Sequence, residues 1–156
     1  MPLDRVDRRL LDVLQHDGRV SNVALAERVH LSPSPCLRRV KALEHEGVIE
    51  GYRAVVGREA VGLGLTVFVE VKVEGHSDRV AEAIEAAVAK MPEVVSCHMV
   101  SGAADFLLEV VVPDLRAYER FLLGSLLKVP SVSDVNSNFA IRRVKAPGPL
   151  PLAHLA

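Results

Sequence analysis

The sequence predicts an α+β protein in two parts, helical over its first fifty residues and built around a sheet thereafter. Three observations predict it. Apolar residues recur at spacings of three and four from Leu3 to Leu43, the period of helices buried along one face. From Leu65 that period gives way to alternation, with Leu65, Val67, Val69, Val71 and Val73 set against Thr66, Phe68, Glu70 and Lys72. Strand and helix patterns then succeed one another in the order βαββαβ up to Val144.

Composition narrows the function. The chain has 156 residues, 49% hydrophobic and 25% charged, a globular balance. Trp is absent and aromatic residues reach 4%, so the core is aliphatic and offers little stacking surface for single-stranded nucleic acid. With a net charge of -1, any attraction to nucleic acid comes from a local patch. Cys36 and Cys97 are too few and too distant for a disulfide scaffold and read as reduced thiols of a cytoplasmic protein. No CxxC occurs, the six His are scattered, and adjacent Cys97 and His98 would face opposite sides of a strand, so no metal site is expected. The opening Met-Pro-Leu-Asp lacks an apolar leader, and no stretch approaches the roughly 18 apolar residues of a membrane span.

In order, Leu3 to Gln15 forms the first helix, capped by Asp4 and ended by Asp17-Gly18. Val6, Leu10, Leu11, Val13 and Leu14 face inward, opposite Arg5, Arg8, Arg9 and Asp12. Ser21 caps the second, Asn22 to Val29, with Val23, Leu25, Ala26 and Val29 apolar. After a short His30-Leu31 connection, Ser32 caps the third, Pro33 takes its first position, and Gly47 stands where a terminating glycine belongs. Leu37, Val40 and Leu43 mark its inner face. Three short helices with a tight second turn form a helix-turn-helix core. The outer stripe of the third helix is Ser34, Arg38, Lys41 and His45, and no acid occurs between Glu27 and Glu44. Small hydroxyls and arginines at a helix N-terminus suit phosphates and guanine edges. Ser34, Arg38 and Lys41 are therefore expected in the major groove of double-stranded DNA with Pro35 beside them, and Ser32 and Arg39 on the phosphate backbone. A bundle that binds nothing is disfavoured, because the basic bias belongs to the third helix alone.

Residues 51–64 read as a linker, a strand followed by a helical turn around Arg58 to Val61. Strand Leu65–Val73 leads through a polar turn at His76 to a helix from Ser77 to Lys90, stopped by Met91-Pro92. A strand from Glu93 to Ser101, the turn Gly102-Ala103-Ala104 and a strand from Asp105 to Val112 follow. A helix from Leu115 to Val129, with Tyr118, Phe121, Leu122, Leu126 and Leu127 inward, precedes a last strand from Val132 to Val144. The domains are thus 1–50, helix-turn-helix, and 65–145, a ferredoxin-like unit with both helices on one face. Its other face carries Phe68 and further apolar positions, which predicts pairing with a copy and larger assemblies. The tail at 146–156, APGPLPLAHLA, is too apolar for a free end and is expected to pack on a neighbouring subunit.

An ordered set of segments carries a resemblance: LDRVDRRLLDVLQHDGR, SNVALAERV, LSPSPCLRRVKALEHEGVIEGYRAVV, GLTVFVEVKV, PEVVSCHMVSG, DFLLEVVVPDLRAYERFL and FAIRRVK. With these gaps the chain resembles the leucine-responsive regulator (Lrp)/AsnC family of bacterial and archaeal transcription factors, from Leu3 to Lys145. The resemblance implies a winged or plain helix-turn-helix that reads DNA as a dimer, and a ferredoxin-like domain that binds an amino-acid effector and assembles dimers into octamers. It places the effector at the turn Gly102, Ala103, Ala104, Asp105, with Met99, Ser137, Asn138 and Phe139 nearby. Two alanines stand where the family has an acid and an aromatic. Turn N–H groups suit a carboxylate and Asp105 suits an ammonium, a reading favoured over Asp105 merely capping the turn. The alanines leave apolar room for a branched aliphatic amino acid; the alternative is an effector-independent architectural DNA-binding protein. No acid–base or nucleophile constellation suggests an enzyme, His76, His98 and His154 being scattered, and no cofactor is expected.

Overall fold

A computed structural model describes residues 3–75 and 77–155; His76 lies outside them. The chain forms two compact units, Met1–Val55 with Lys145–Ala156, and Val56–Val144.

The first unit holds α1 (Arg5–His16), α2 (Asn22–Val29) and α3 (Pro33–His45). Each start has a local cause. The Asp4 carboxylate accepts the Val6 and Asp7 N–H groups at 2.8 and 2.9 Å, and the Asp7 carboxylate accepts the Asp4 N–H, a reciprocal capping box. Ser21 Oγ accepts the Ala24 N–H at 3.2 Å. The α2–α3 turn is made by His30 at φ 59, the one left-handed non-glycine residue among those described. Asn22 Nδ2 donates to the Pro33 carbonyl at 2.9 Å, pinning the start of α2 to the start of α3. Past α3, Gly47 adopts φ 71 and the Ile49 N–H reaches the Leu43 carbonyl, closing the helix end. Leu10, Leu11, Leu25, Ala26, Val29, Cys36, Val40 and Leu43 form the core. Val23 and Leu37, expected inside, are exposed, because the buried stripe of α3 runs through Cys36, Val40 and Leu43.

The tail, expected on a neighbouring subunit, makes contacts with this same unit of its own chain. Gln15 Oε1 accepts the Leu150 N–H at 2.6 Å, its Nε2 donates to the Leu150 carbonyl at 3.4 Å, and Arg8 Nη1 donates to the Leu155 carbonyl at 3.1 Å. A side-chain amide presents a donor group beside an acceptor group, so Gln15 pairs with a residue's backbone as a strand would. Leu152 packs against the core, and tail, α1 and residues 48–52 enclose a cavity of about 750 Å³. The strand expected after Gly47 is absent among the described residues: this unit has no strand to pair with it, and Val55 is left 99% exposed.

The second unit opens with a 3₁₀ turn, Glu59–Val61, and continues as β1 (Leu65–Val73), α4 (Asp78–Val88), β2 (Val94–Met99), β3 (Phe106–Val112), α5 (Leu115–Gly124), a 3₁₀ turn (Leu126–Lys128) and β4 (Val132–Phe139). The sheet is antiparallel in the order β2-β3-β1-β4. Val67 lies opposite Val110 and Phe139, Val69 opposite Leu108 and Ser137, and Val71 opposite Phe106 and Val135. The apolar members of these rows pack with Ile84 and Val88 of α4 and Tyr118 and Phe121 of α5. Two elements are shorter than the pattern implied. The regular part of α5 gives way at Gly124 to the 3₁₀ turn, which leaves Leu127 exposed. β4 stops at Phe139 because β1 begins at Leu65, and the last bond of that edge runs from the Ala140 N–H to the Thr66 carbonyl. The uncovered face is more polar than expected: Phe68, Leu107 and Val111 share it with Glu70, Lys72, Glu109, Asn136 and Asn138. Arg58 reaches onto it, with Nη1 2.8 Å from Glu109 Oε1 and 3.0 Å from Thr66 Oγ1. Among the described residues no helix is long and apolar enough to cross a membrane.

Candidate nucleic-acid interface and ligand site

Burial of Cys36, Val40 and Leu43 turns the opposite stripe of α3 outward, so Ser34, Arg38 and Lys41 are all exposed. Among the described residues, neither Arg38 nor Lys41 has a carboxylate within ion-pair distance. Ser32 has the extended backbone of an N-cap but makes no capping bond, and its exposed hydroxyl is left for another partner. Pro33 and Pro35 remove two first-turn donors and the Cys36 N–H returns to the Ser32 carbonyl, so Ser34 supplies the first turn's available N–H. The anion-binding capacity expected of this helix end therefore narrows to one backbone donor and the side chains.

Arg39 departs from its expected place on the phosphate backbone. Its Nη1 lies 2.8 Å from Asp4 Oδ2 and 2.8 Å from Asp7 Oδ1, tying α3 to the cap of α1. The two carboxylates raise the Arg39 pKa, Asp7 most. Reading the sequence by helix face missed Asp7, which is 3% exposed; its spacing of three from the Asp4 cap was the available signal.

The predicted ligand residues separate into two clusters. In the first, Gly102 adopts φ 123, a conformation that favours glycine, and Ala104 is buried. Asp105 is woven into β1: its N–H donates to the Val71 carbonyl at 3.0 Å and its Oδ2 accepts the Val73 N–H at 2.9 Å, where the β1–β4 register shifts between Lys72 and Val73. Its Oδ1 makes no hydrogen bond among the described residues. Met99, 62% exposed, ends β2 beside this turn. The second cluster is on β4. Ser137 Oγ shares a 2.5 Å hydrogen bond with the Tyr118 hydroxyl, and the Phe139 ring meets that of Tyr118 edge-on at 5.4 Å. Burial raises the Tyr118 pKa, with Ser137 opposing, so the hydroxyl stays neutral. Asn138 points to the other face, opposite Phe68. Ser137 lies opposite Val69, whereas Asp105 bonds Val71 and Val73, two and four residues further along β1, roughly 7 and 14 Å of strand. The first cluster lies on the β3 side of β1 and the second on β4, so the two flank β1 from opposite edges. Tyr118 belongs with the second cluster and was read only as core; a buried phenol that needs a polar partner was the clue. A cavity of about 460 Å³ lined by Gly64, Leu65, Pro113, Asp114, Leu115 and Phe139 touches only the last of the predicted residues.

Comparison with known proteins is consistent across both units. Residues 3–50 match the winged helix-turn-helix DNA-binding family and residues 66–150 the Lrp/AsnC ligand binding domain. The chain is 46% identical over 143 residues to the leucine-responsive regulatory protein of Salmonella typhimurium, covering 92% of this chain and 87% of that protein. A transcriptional regulator from Neisseria meningitidis, solved in complex with L-methionine, superposes with a TM-score of 0.93 at 44% identity, over 99% of each chain. An AsnC family transcriptional regulator from Agrobacterium tumefaciens gives 0.92 at 37% identity, over 99% of this chain and 100% of that one. These relatives are regulators of transcription and not enzymes. Helix order, sheet topology and these likenesses together show that the chain belongs to the Lrp/AsnC family of transcription regulators.

Proposed function

We propose that this regulator acts on genes of amino-acid metabolism or transport, that α3 enters the major groove of double-stranded DNA with Ser34, Arg38 and Lys41, and that a bound amino acid changes its assembly or DNA affinity. The observation that carries the DNA reading is the exposed stripe on α3, where Arg38 and Lys41 have no ion-pair partner among the described residues. Pairing of two copies would present two such helices about one turn of duplex apart. The methionine complex of the Neisseria relative supports an amino acid as ligand. Division of the candidate residues into Met99 with 102–105 and Ser137 with Phe139 favours a ligand held between chains, each lending one cluster, and we take the assembly to be an octamer, as the family resemblance implies. We take the cytoplasm as the compartment of this work, the setting that a chromosomal DNA target calls for.

The test is binding to the promoter region beside the protein's own gene, titrated with each of the twenty amino acids. A shift produced by one or a few of them establishes the effector class, branched aliphatic side chains being expected. Tight binding indifferent to all twenty supports an architectural protein instead, a reading that suits the engagement of Asp105 by the Val73 N–H of β1. Arg38→Ala is expected to cost about 1–3 kcal/mol and to relax discrimination at one base position, whereas Lys41→Ala weakens all sequences alike and lowers the salt slope by about 1.

A further inference from the structure

We infer that Arg39 is a positioning residue that sets how α3 meets DNA, and not a phosphate contact; the inference rests on the reading of α3 as the helix that enters the groove. One guanidinium nitrogen lies 2.8 Å from each of two carboxylates, Asp4 and Asp7, on the first turn of another helix. Asp7 is the buried charged residue among those described, at 3% exposure. Were Arg39 to swing toward a phosphate, it would leave that carboxylate unpaired and poorly hydrated, a costly state. Two adjacent carboxylates also cancel the positive charge that a phosphate would seek.

The arrangement has a mechanical meaning. Arg38 and Arg39 are neighbours about 100° apart around α3, so the one faces outward while the other is clamped. Cys36, Val40 and Leu43 hold the inner side by apolar contact, which tolerates small rotations of the helix. Ion pairs of this length tolerate less. The same two carboxylates form the capping box of α1, so the cap of one helix and the rotational setting of the other are a single network.

The experiment uses the full-length protein, with Arg39→Gln, Arg39→Lys, Asp7→Asn and the Arg39→Gln/Asp7→Asn pair. Each is titrated against the promoter duplex and a random duplex of equal length over a range of salt, and its melting temperature is recorded. Arg39→Gln is expected to weaken promoter binding about tenfold more than random binding, with an unchanged salt slope. Asp7→Asn should do the same, the pair should lose no more than either alone, and Arg39→Lys should recover part of the loss. A slope reduced by about 1 with equal loss on both duplexes makes Arg39 a phosphate contact and overturns the inference. A lower melting temperature with an unchanged promoter-to-random ratio reduces Arg39 to a structural role and also overturns it. If Arg38→Ala and Lys41→Ala leave binding untouched, α3 does not read DNA and both readings fall; if only the Arg39 and Asp7 variants are silent, the positioning role falls alone.

Discussion

Asp4 does two jobs with one carboxylate, and its protonation links them. Its pKa is lowered chiefly because it accepts the Asp7 N–H, burial opposing, with the Arg39 guanidinium adding to the effect. A carboxylate whose folded pKa lies below its ordinary 3.8 contributes stability that is present above that value and lost as pH falls through the folded one. The melting temperature of the protein should therefore drop below about pH 4, and in Asp4→Asn this part of the acid loss should be absent. Asp4 is half exposed, so the difference will be small, and identical acid profiles would show that the Asp4 carboxylate contributes no pH-dependent stability. Arg39 shows where residue-level reading reached its limit. Its charge and its place on a basic helix were plain in the sequence, but its partners stand 35 and 32 residues away, at a distance only the packing of α1 on α3 closes. Asp105 differs in kind: the local turn suggested an effector contact or a turn cap, whereas the bond that its carboxylate makes comes from Val73 on the neighbouring strand, 32 residues away.

The tail shows how one element depends on another. Leu152 joins the core of the helical unit, and Gln15 holds Leu150 by both ends of its amide. Leu152→Ala should destabilise this unit by about 1–2 kcal/mol, for a side chain that is only partly buried. Hydrogen exchange checks it residue by residue: α1 amides lose protection while β1 amides keep theirs, and undiminished protection in α1 would mean that the tail contributes no stability. Starts of elements were legible because caps are local chemistry, as Asp4, Ser21 and Asp114 show by bonding the N–H groups two or three residues ahead of them. Ends were less so. β4 closes where its neighbour begins, and residues 48–56 stay irregular for want of a strand to pair with. Both outcomes are set by a partner elsewhere in the chain, and so is the separation of Gly102–Asp105 from Ser137–Phe139, which follows from strand register.

At the scale of the whole molecule, the sheet hides one face under α4 and α5 and leaves Phe68, 41% exposed, on the other. Glu70, Asn136 and Asn138 surround Phe68 with polar groups, the mixture of a polar rim about an apolar centre that interfaces between copies use. Phe68→Glu should reduce the mass of the assembly in light scattering; an unchanged mass would place the contact between copies elsewhere. The helical unit, meanwhile, is assembled from two stretches of chain, Met1–Val55 and Lys145–Ala156, with the whole sheet unit inserted between them. During synthesis α1, α2 and α3 emerge first and must wait through the making of the entire second unit before Leu150, Leu152 and Leu155 arrive. The part begun earliest is completed last, so a nascent chain carries its DNA-facing helices for most of its translation without the strap that finishes them.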